Sequence, residues 1–369
     1  MFTVNAAWNI WNFRRPLVDS LCADGHRITV LAPPDDSVPK LEGIGCRFRA
    51  LPMNVKGLNP VDDLKLQRRL KRIFAEERPD AVLSYTIKNN IFGARAALAT
   101  GVPFVPNVTG LGTAFLSGGL LQIVAEQLYR RAFGRLQTVF FQNEDDRDLF
   151  LDRKLVRVEQ ARLLPGSGID LARFAPADMP SAQEPTVFLM IARLLRDKGV
   201  VEFVEAARQI KARHPSARFQ ILGATGSENR TAIDSATLQA WVAEGVLEYL
   251  GTTDDVRPAI AAASCVVLPS YREGAPRTLI EAAAMARPLI ATDVPGCRSV
   301  VDRDASGFLC NARSIDSLAE AMGRFLALSS NARSAMGHAG RTKMEREFDQ
   351  VLVVDAYRKA LSDLTANRQ

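Results

Sequence analysis

Two glutamates eight positions apart, Glu273 and Glu281, have the residue type and spacing most suited to chemistry in this sequence. Glu281 lies in a segment, 279–285, that is apolar at almost every position, and a helix of that kind is normally buried. Because a buried carboxylate is unfavourable unless it is paired, Glu281 should have a specific partner. The alternative is a surface glutamate on a helix with a narrow polar stripe.

Glu273 stands where a turn meets the helix that we expect over 276–286. The backbone N–H groups of Gly274 to Thr278 would be free at that helix start and, helped by the helix dipole, would form an anion site. A carboxylate beside a bound phosphate would be repelled unless it accepts hydrogen bonds from hydroxyl groups. Sugar hydroxyls are natural partners, because an ionised carboxylate can accept two of them at once.

A pair of cations, Arg193 and Lys198, forms a second group with chemical potential, in the segment ARLLRDKG. They lie between a strand expected over 187–191 and a helix expected over 200–213. Two cations at a strand-to-helix turn can neutralise a departing diphosphate without a metal. The alternative interpretation is a solvated basic loop. The glutamate pair in the same half of the chain favours the diphosphate site over this alternative.

The elements that must position these residues alternate between strands and helices in both halves of the chain. Strands are expected at 2–7, 27–32, 48–51, 81–84, 102–105, 138–141, 187–191, 219–222, 246–250, 265–268 and 289–291. Helices are expected at 16–23, 61–77, 91–99, 200–213, 256–263 and 276–286. This alternation predicts an α/β protein with two Rossmann-like, doubly wound domains facing a cleft, and ligands bind beyond the carboxyl ends of the strands in such sheets.

The domain boundaries follow from the same pattern. A stretch rich in proline and glycine, 164–180, is interpreted as a linker. The first domain is expected over 1–166 and the second over 167–350. A C-terminal helix over 351–369 could cross back to the first domain.

Composition and missing motifs exclude several classes of function. No uncharged apolar stretch is long enough to span a membrane, and the first residues lack the pattern of a secretion signal. The five cysteines are scattered, which is typical of reduced cytoplasmic thiols, and the three histidines are too dispersed for a metal cluster. A Gly-x-Gly-x-x-Gly motif after the first strand and a Walker lysine loop are both absent, which argues against nicotinamide-dependent oxidation and P-loop hydrolysis.

Two Asp-x-Asp pairs, Asp146 with Asp148 and Asp302 with Asp304, raise the question of a metal site. The first pair lies at an expected helix start and the second in a polar loop. Helix capping and solvation explain both pairs better than metal binding. We therefore expect no metal ion.

Positive charge is concentrated in the first half of the chain. Residues 1–168 hold 23 lysines and arginines against 17 acidic residues, whereas residues 169–369 hold 24 of each. A basic half suggests an anionic partner. An anionic membrane face or a phosphorylated lipid fits at least as well as nucleic acid, and no groove-reading or RNA-binding motif is present, so no nucleic-acid partner is expected.

Two stretches could contact such a membrane. Trp8, Trp11 and Phe13 crowd what is expected to be an early loop. The segment 114–135 is expected to form an amphipathic interfacial helix. Its apolar residues at helical spacing are Leu120, Leu121, Val124, Leu128 and Phe133, and its C-terminal cations are Arg130, Arg131 and Arg135. The alternative is a core-facing helix whose cationic end is favoured by the helix dipole.

Several segments together resemble a known family. EGAPRTLIE, followed by ARPLIATDVPG and DASGFL, and the ARLLRDKG loop are similar to the retaining glycosyltransferases of family 4, which have the GT-B fold. The N-terminal segments NFRRPLVDSLCADGHRITVLAP, YTIKNNIFGARAALATGVPFVPNVTGLGTAF and NEDDRDLF resemble a subgroup that extends polyprenyl-diphosphate-linked sugars in bacterial surface glycan assembly. The resemblance covers nearly the whole chain.

The resemblance implies roles for residues of the second domain. Arg193 and Lys198 would hold the donor diphosphate and, with Glu273, would be the catalytic residues. Glu273 would contact hydroxyls of the transferred hexose. Glu281 would accept from the ribose hydroxyls, so that its partner would be a nucleotide sugar rather than protein. The implied donor-binding residues are Arg193, Lys198, Glu273, Gly274, Ala275, Thr278, Leu279 and Glu281. No cofactor is implied, because the UDP-sugar is a co-substrate.

In the first domain the resemblance implies an acceptor site. Its residues would be Asn12, Arg14, Lys88, Thr109, Gly110 and Gly112. Lys88 would lie beside an acceptor phosphate. Many relatives carry a histidine near this part of the site, but the region 108–112 contains none, so a histidine-assisted step is not expected.

The implied function is that of a retaining, metal-independent hexosyltransferase. It would move a hexose or N-acetylhexosamine from a UDP-sugar to a lipid-diphosphate-linked sugar in surface polysaccharide, O-antigen or glycan biosynthesis. The enzyme would be cytoplasmic and peripheral on the inner face of the cell membrane, with an anionic membrane surface as a further partner. The alternatives are transfer to a soluble acceptor, a sugar-nucleotide epimerase with the same two-domain fold, and a non-catalytic sugar-nucleotide-binding protein.

Overall fold

The chain folds into two compact units. The computed structural model describes residues 1–366 apart from positions 56, 58, 112–118, 227, 228 and 230. Unit 1 consists of Met1–Gly168 together with Gln350–Gln369, and unit 2 consists of Ile169–Asp349. Each unit is an α/β body built on a parallel sheet.

Unit 1 contains a sheet in which the described residues form seven parallel strands. The strands are β1 (Phe2–Thr3), β2 (Thr29–Ala32), β3 (Arg47–Ala50), β4 (Val82–Tyr85), β5 (Phe104–Val108), β6 (Val139–Phe141) and β7 (Ala161–Leu163). The helices are α1 (Ala7–Phe13), α2 (Arg15–Ala23), α3 (Val38–Gly43), α4 (Pro60–Glu77), α5 (Ile87–Thr100), α6 (Gly119–Phe133), α7 (Glu144–Asp152) and the C-terminal α15 (Gln350–Ala366). The strand order is β3-β2-β1-β4-β5-β6-β7.

Unit 2 repeats this plan with six parallel strands among its described residues. The strands are β8 (Val187–Ile191), β9 (Arg218–Leu222), β10 (Glu248–Tyr249), β11 (Cys265–Leu268), β12 (Leu289–Thr292) and β13 (Gly307–Cys310). The helices are α8 (Val200–Arg213), α9 (Ser235–Ala243), α10 (Arg257–Ala262), α11 (Arg277–Ala284), α12 (Cys297–Val300), α13 (Ile315–Leu326) and α14 (Ser330–Lys343), which continues into a π-helical turn, Met344–Phe348. The strand order is β10-β9-β8-β11-β12-β13.

Helices cover both faces of each sheet, and the strands are apolar for that reason. Successive strand residues point to opposite faces, so that in β8 the ring of Phe188 packs in one core and Leu189 in the other. Strands buried on both faces read as continuous apolar runs. The prediction of two doubly wound parallel-sheet domains is therefore confirmed.

The C-terminal helix α15 belongs to unit 1. Val353, Val354 and Tyr357 are buried in the core that also contains residues of α1, α2 and β1. On the surface, the Nε of Arg358 donates to Asp24 at 2.8 Å. The end of the chain therefore completes a core whose other members come from residues before position 165.

Two expectations about backbone structure were wrong. The first strand ends at Thr3 and is followed by helix α1, because Ala7 and Ile10 are buried at helical spacing and leave Trp8 exposed. The stretch interpreted as a linker is packed against unit 2 from Ile169 onwards. Ile169 and Phe174 are buried in its core, and the guanidinium of Arg287 donates to two carbonyls of the same stretch.

Helix α6 has both buried and exposed side chains within the segment 114–135. Phe133 is fully buried in the core of unit 1, so it does not belong to an exposed apolar stripe. Arg130 donates through Nη2 to the carbonyl of Arg153 at 3.0 Å. Leu121 and Val124, in contrast, are exposed. Positions 114–118 and the side chain of residue 120 lie outside the described residues.

Of the helices in the described part of the chain, none combines the length and the apolar character that crossing a bilayer requires.

Candidate active site

The edge of the unit 2 sheet beyond β8 and β11 brings the predicted cation and carboxylate together. These two strands are adjacent, and the strand order reverses between them, which is the position where doubly wound sheets bind ligands. Lys198 follows β8 and Glu273 follows β11. The Nζ of Lys198 lies 2.5 Å from the Oε1 of Glu273, and the two side chains are 24% and 13% exposed.

Glycines allow the loops of this edge to approach closely. Gly199 has φ of +76°, and a Cβ there would lie 2.1 Å from the carbonyl oxygen of Pro269. Gly296 has φ of +78°, and its Cβ would lie 2.5 Å from the carbonyl oxygen of Gly274. Only glycine meets both requirements at these positions. The loops that follow β8, β11 and β12 are consequently in direct backbone contact.

Helix α11 begins at this edge, at Arg277. Pro276 occupies the N-cap position in an extended conformation, one residue before the helix. The hydroxyl of Thr278 donates to the carbonyl of Ile191 at 3.0 Å, which ties the helix start to the end of β8. Leu279 is fully buried and its amide donates to Pro276 at 3.0 Å, so its N–H is already used within the helix.

Glu281 is buried in α11 and has a protein partner. It is 9% exposed, and its Oε1 accepts from the Nε of Arg277 at 2.6 Å. Burial raises the pKa of Glu281, and the guanidinium of Arg277 opposes that rise. The part of the expectation that excluded a protein partner for Glu281 is wrong, because an arginine one turn earlier on the same helix is its partner; the contact with ribose stays a prediction.

Arg193 differs from Lys198 and Glu273, which pair with each other. Its side chain is exposed, and the described part of the chain provides it with no carboxylate within ion-pair distance. Its carbonyl accepts from the amide of Leu195 at 2.8 Å, which helps to shape the loop. The guanidinium is therefore available for an anionic ligand.

Tyr271, which was not selected from the sequence, lies beside the Lys198–Glu273 pair and contacts the loop that carries Lys198. The amide of Tyr271 donates to the carbonyl of Asp197 at 2.9 Å, and its hydroxyl donates to the Oε1 of Glu202 at 2.6 Å. Burial, followed by Glu202, raises the pKa of Tyr271 to about 12, so the hydroxyl remains a donor at neutral pH. These contacts join the loop that carries Lys198 to the loop that carries Glu273.

The residues implied for an acceptor site follow the central strands of unit 1. Asn12 and Arg14 come after β1, Lys88 comes after β4, and Thr109 and Gly110 come after β5. The order of this sheet also reverses between β1 and β4. Gly112 was implied for the same site and lies outside the described residues.

The polar groups at that edge have different surroundings. The Nζ of Lys88 lies 2.8 Å from the Oδ1 of Asp63, and both side chains are mostly buried. Asn12 donates through its side-chain amide to the carbonyl of Trp8 at 3.0 Å. Arg14 is only 5% exposed.

The two Asp-x-Asp pairs have local partners. Asp146 lies in the first turn of α7, where its amide donates to the capping side chain of Asn143 at 2.8 Å. Asp302 accepts from Lys343 at 2.5 Å and Asp304 from Arg324 at 2.7 Å. Over the described residues, no three His, Cys, Asp or Glu side chains converge as a metal site would require.

Comparison with known proteins identifies the family. Residues 173–343 match the family model described as glycosyl transferases group 1, and residues 10–166 match the glycosyl transferase 4-like domain. The chain belongs to the glycosyl transferases. The two matched segments lie in different units and together span most of the sequence.

Curated relatives of this glycosyltransferase match it over nearly its whole length. The N,N'-diacetylbacillosaminyl-diphospho-undecaprenol α-1,3-N-acetylgalactosaminyltransferase of Campylobacter jejuni is 25% identical over 382 residues, with 99% of each chain covered. The UDP-Gal:α-D-GlcNAc-diphosphoundecaprenol α-1,3-galactosyltransferase of Escherichia coli is 26% identical over 331 residues, covering 86% of this chain and 84% of the relative.

Solved structures support the fold. A glycosyltransferase from Rickettsia africae has a TM-score of 0.78 at 17% identity, covering 99% of this chain and 98% of that one. The sucrose-phosphate synthase of Thermosynechococcus elongatus has a TM-score of 0.79 at 18% identity, with 99% of each chain covered. The GT-B fold class is confirmed.

Proposed function

We propose that this glycosyltransferase moves a hexose or N-acetylhexosamine from a UDP-sugar to a lipid-diphosphate-linked sugar, with retention of the donor's anomeric configuration. The observation that carries the proposal is the Lys198–Glu273 pair at the reversal point of the unit 2 sheet. Two near full-length relatives support the substrate class, because their names describe transfer to sugars on undecaprenyl diphosphate. The step belongs to the assembly of a surface polysaccharide, an O-antigen or a related glycan.

In this proposal the cations of unit 2 hold the donor diphosphate. Lys198 and Arg193 neutralise the charge that develops on the departing nucleotide when the bond from the anomeric carbon to the phosphate oxygen breaks. Gly274, Ala275 and Thr278 offer backbone amides beside the helix start. The cations make the transfer independent of a metal ion.

Glu273 binds the sugar that is transferred. Its contact with Lys198 places a carboxylate directly beside a phosphate-binding cation, which is where the hexose of a nucleotide sugar would lie. Its oxygens accept hydrogen bonds from hexose hydroxyls. The acceptor oxygen forms its bond to the anomeric carbon on the face that the diphosphate leaves, and its proton passes to the departing phosphate oxygen.

Glu281 recognises the nucleoside. It is ionised when it accepts from the ribose hydroxyls, and the contact with Arg277 favours the ionised form despite burial. Arg277 therefore acts as the positioning residue for this carboxylate.

Unit 1 provides the acceptor site and the membrane contact. Asn12, Arg14, Lys88, Thr109, Gly110 and Gly112 form the acceptor-binding set. The protein binds peripherally to the cytoplasmic leaflet of an anionic membrane, which gives access to the lipid-linked acceptor. Exposed Leu121, Ile123 and Val124 precede exposed Arg131 on α6, and this combination suits the boundary between headgroups and acyl chains.

A transfer assay with defined substrates tests the proposal. A panel of labelled UDP-hexoses and UDP-N-acetylhexosamines is offered with a polyprenyl-diphosphate-linked sugar, or with the same free sugar, in the presence of a chelator. We expect transfer from one UDP-sugar to the lipid-linked acceptor only, and an α linkage in the product by proton NMR. Transfer to the free sugar at the same rate would favour a soluble acceptor, and a rate restored only by magnesium would contradict metal independence.

A further inference from the structure

Arg14 is a buried cation in unit 1 without an anionic partner. It lies between α1 and α2, in the first connection after β1. Its Nη1 donates to the carbonyl of Phe13 at 3.2 Å, while its Nε is buried and has no hydrogen-bond partner among the described residues. In the described part of the chain, no carboxylate lies within 4.0 Å of its guanidinium nitrogens. A buried charge in such surroundings is unfavourable for folding.

Neighbouring charged residues are paired, which makes Arg14 an exception. Arg15 is half exposed, lies 3.4 Å from Asp19 and stacks on the Trp11 ring. Lys88 pairs with Asp63.

The acidic residue that follows β2 is also engaged elsewhere. Asp35 accepts from the backbone amides of Trp8 and Ser37, both at 2.8 Å. It is therefore used to fix the turn before α1 and the start of α3.

Aromatic and amide groups hold the guanidinium of Arg14 in place. It lies 4.5 Å from the centroid of the Tyr85 ring, and Tyr85 packs against Tyr357 of α15 with ring centroids 6.4 Å apart. Asn107 donates to the hydroxyl of Tyr357 at 3.0 Å and receives a hydrogen bond at its carbonyl from Asn90 at 2.7 Å. All these groups are buried.

This arrangement orients a charge without neutralising it. A cation–π contact attracts the guanidinium but supplies no negative charge to balance it. The residues after β1, β4 and β5 surround the point where the strand order reverses, and a ligand in a doubly wound sheet binds at that point.

We propose that Arg14 binds a phosphate group of the lipid-linked diphosphate acceptor. The inference rests on the proposed function and selects one residue from the acceptor-binding set. A guanidinium presents a planar fork that matches phosphate oxygens with two parallel hydrogen bonds. Lys88 already has a carboxylate partner, so its contribution to the phosphate is secondary, and Tyr85 and Tyr357 are positioning residues for Arg14.

A binding measurement separates this role from a structural one. Calorimetry is performed with saturating UDP, so that the donor site is filled, and with three probes: inorganic pyrophosphate, a short-chain polyprenyl-diphosphate-linked N-acetylglucosamine, and the corresponding prenyl glycoside without phosphate. The variants are Arg14→Met, Arg14→Lys and the neighbouring control Arg15→Met. We expect Arg14→Met to weaken both phosphate-containing probes by at least about 10-fold and to leave the neutral glycoside unchanged. Arg14→Lys should retain part of the affinity, and Arg15→Met all of it.

Thermal stability provides a second, independent readout. Because Arg14 is unpaired, Arg14→Met should keep the melting temperature of the wild type or raise it. Unchanged affinity for the diphosphate probes in Arg14→Met would overturn the inference, and so would a loss of stability in Arg14→Met and Arg14→Lys alike, which marks a structural arginine. If the wild-type protein binds neither lipid probe, the proposed acceptor class fails, whereas Arg14-dependent binding of pyrophosphate would still support the anion site.

Discussion

Lys198 and Glu273 form an ion pair at the edge of the unit 2 sheet beyond β8 and β11. Substitution of either residue therefore also changes the environment of the other. Loss of Lys198 removes the cation proposed to bind the donor diphosphate and leaves the mostly buried carboxylate of Glu273 without its partner. Loss of Glu273 leaves the cation in place. The two substitutions should therefore affect different steps of the reaction.

For Lys198→Ala we expect kcat/KM to fall on the order of 10²-fold, because a cation that stabilises charge on the departing diphosphate is removed. Glu273→Ala should lower kcat more than it weakens UDP binding, because its proposed ligand is the transferred sugar. Steady-state kinetics with calorimetric UDP affinities checks both expectations. A Glu273→Ala variant that loses UDP affinity and keeps kcat would contradict the assignment.

A second prediction concerns the protonation of Glu281. Burial raises its pKa above the ordinary value of 4.5, so the ionised form that accepts from ribose is lost as the pH falls towards the raised pKa. UDP affinity should therefore weaken as the pH is lowered from neutral towards that raised pKa. In Glu281→Gln the affinity should be lower at neutral pH and this pH dependence should disappear.

The control for this measurement is Glu320→Gln, an exposed glutamate of α13 in the same unit. It should retain the wild-type pH profile. The effect of pH on folding stability has the opposite sign to its effect on UDP binding. A raised carboxyl pKa means that the folded state holds the proton more tightly than the unfolded state does. Glu281 therefore favours folding less as the pH rises through the raised pKa. Equal UDP affinity in wild type and Glu281→Gln at every pH would refute the ribose role.

The sequence was enough to propose Lys198 and Glu273 as candidate site residues, whereas the contact between them could not be predicted. Local pattern was enough to select Lys198 and Glu273, since each lies in a short segment between a strand and a helix. Their contact joins residues 75 positions apart and depends on the order of β8 and β11. The partners of Tyr271 and the missing partner of Arg14 likewise depend on packing between distant segments.

At the scale of elements, the bounds of a helix or strand were predicted best where the segment is apolar throughout or has a clear helical period. The expected bounds of β8, α8 and β11 are the observed ones, because long apolar or periodic runs between loop residues define both ends. Helix α1 was missed because seven residues with several aromatic side chains carry little periodic signal. The packed stretch after Gly168 was missed because its apolar residues follow neither a helical nor a strand period and are interrupted by prolines and charged residues.

A third prediction concerns Gly199, which allows the loop after β8 to approach the loop after β11 closely. Gly199→Ala adds a Cβ that would lie 2.1 Å from the carbonyl oxygen of Pro269 and also strains a left-handed backbone. The matched control is Gly245→Ala, with φ of +75° and no atom within 4 Å of the added Cβ. The control should lose about 1–2 kcal/mol of stability from backbone strain alone.

Gly199→Ala should lose more stability than the control and should also lower kcat, because the two loops must separate and carry Lys198 away from Glu273. Denaturant unfolding and steady-state kinetics of both variants provide the comparison. If the two variants lose equal stability and both retain wild-type kcat, close approach of the loops is not required for the transfer.

At the scale of the whole molecule, the distribution of charge differs between the two halves of the chain, as expected if only the first half contacts an anionic surface. The excess of basic residues lies within 1–168, and residues 169–369 are balanced. If the protein binds an anionic surface, as proposed, we expect the residues of 1–168 to provide the attraction. In the proposed function, unit 2 would bind its anionic donor through Arg193 and Lys198 rather than through net charge.

Membrane attachment should depend on α6, with hydrophobic and electrostatic parts that can be separated. Leu121, Ile123 and Val124 are exposed, and so are Arg131 and Arg135. Removal of both arginines should weaken binding to anionic vesicles by about 2 kcal/mol, since each basic residue near the surface contributes roughly 1 kcal/mol. Replacement of the three apolar residues by serine should weaken binding to anionic and to neutral vesicles alike.

Flotation on vesicles with and without anionic lipid, at low and high salt, measures these contributions. The control removes two exposed basic residues of unit 2, Arg213 and Arg346, and should float like the wild type. Salt should reduce flotation of the wild type more than that of the Arg131/Arg135 alanine variant, because screening acts on the charges that the variant lacks. Arg130 is kept in all variants, since its side chain binds the carbonyl of Arg153. If the wild type fails to float on anionic vesicles, α6 does not bind the membrane, and a soluble acceptor becomes the better explanation for the basic unit.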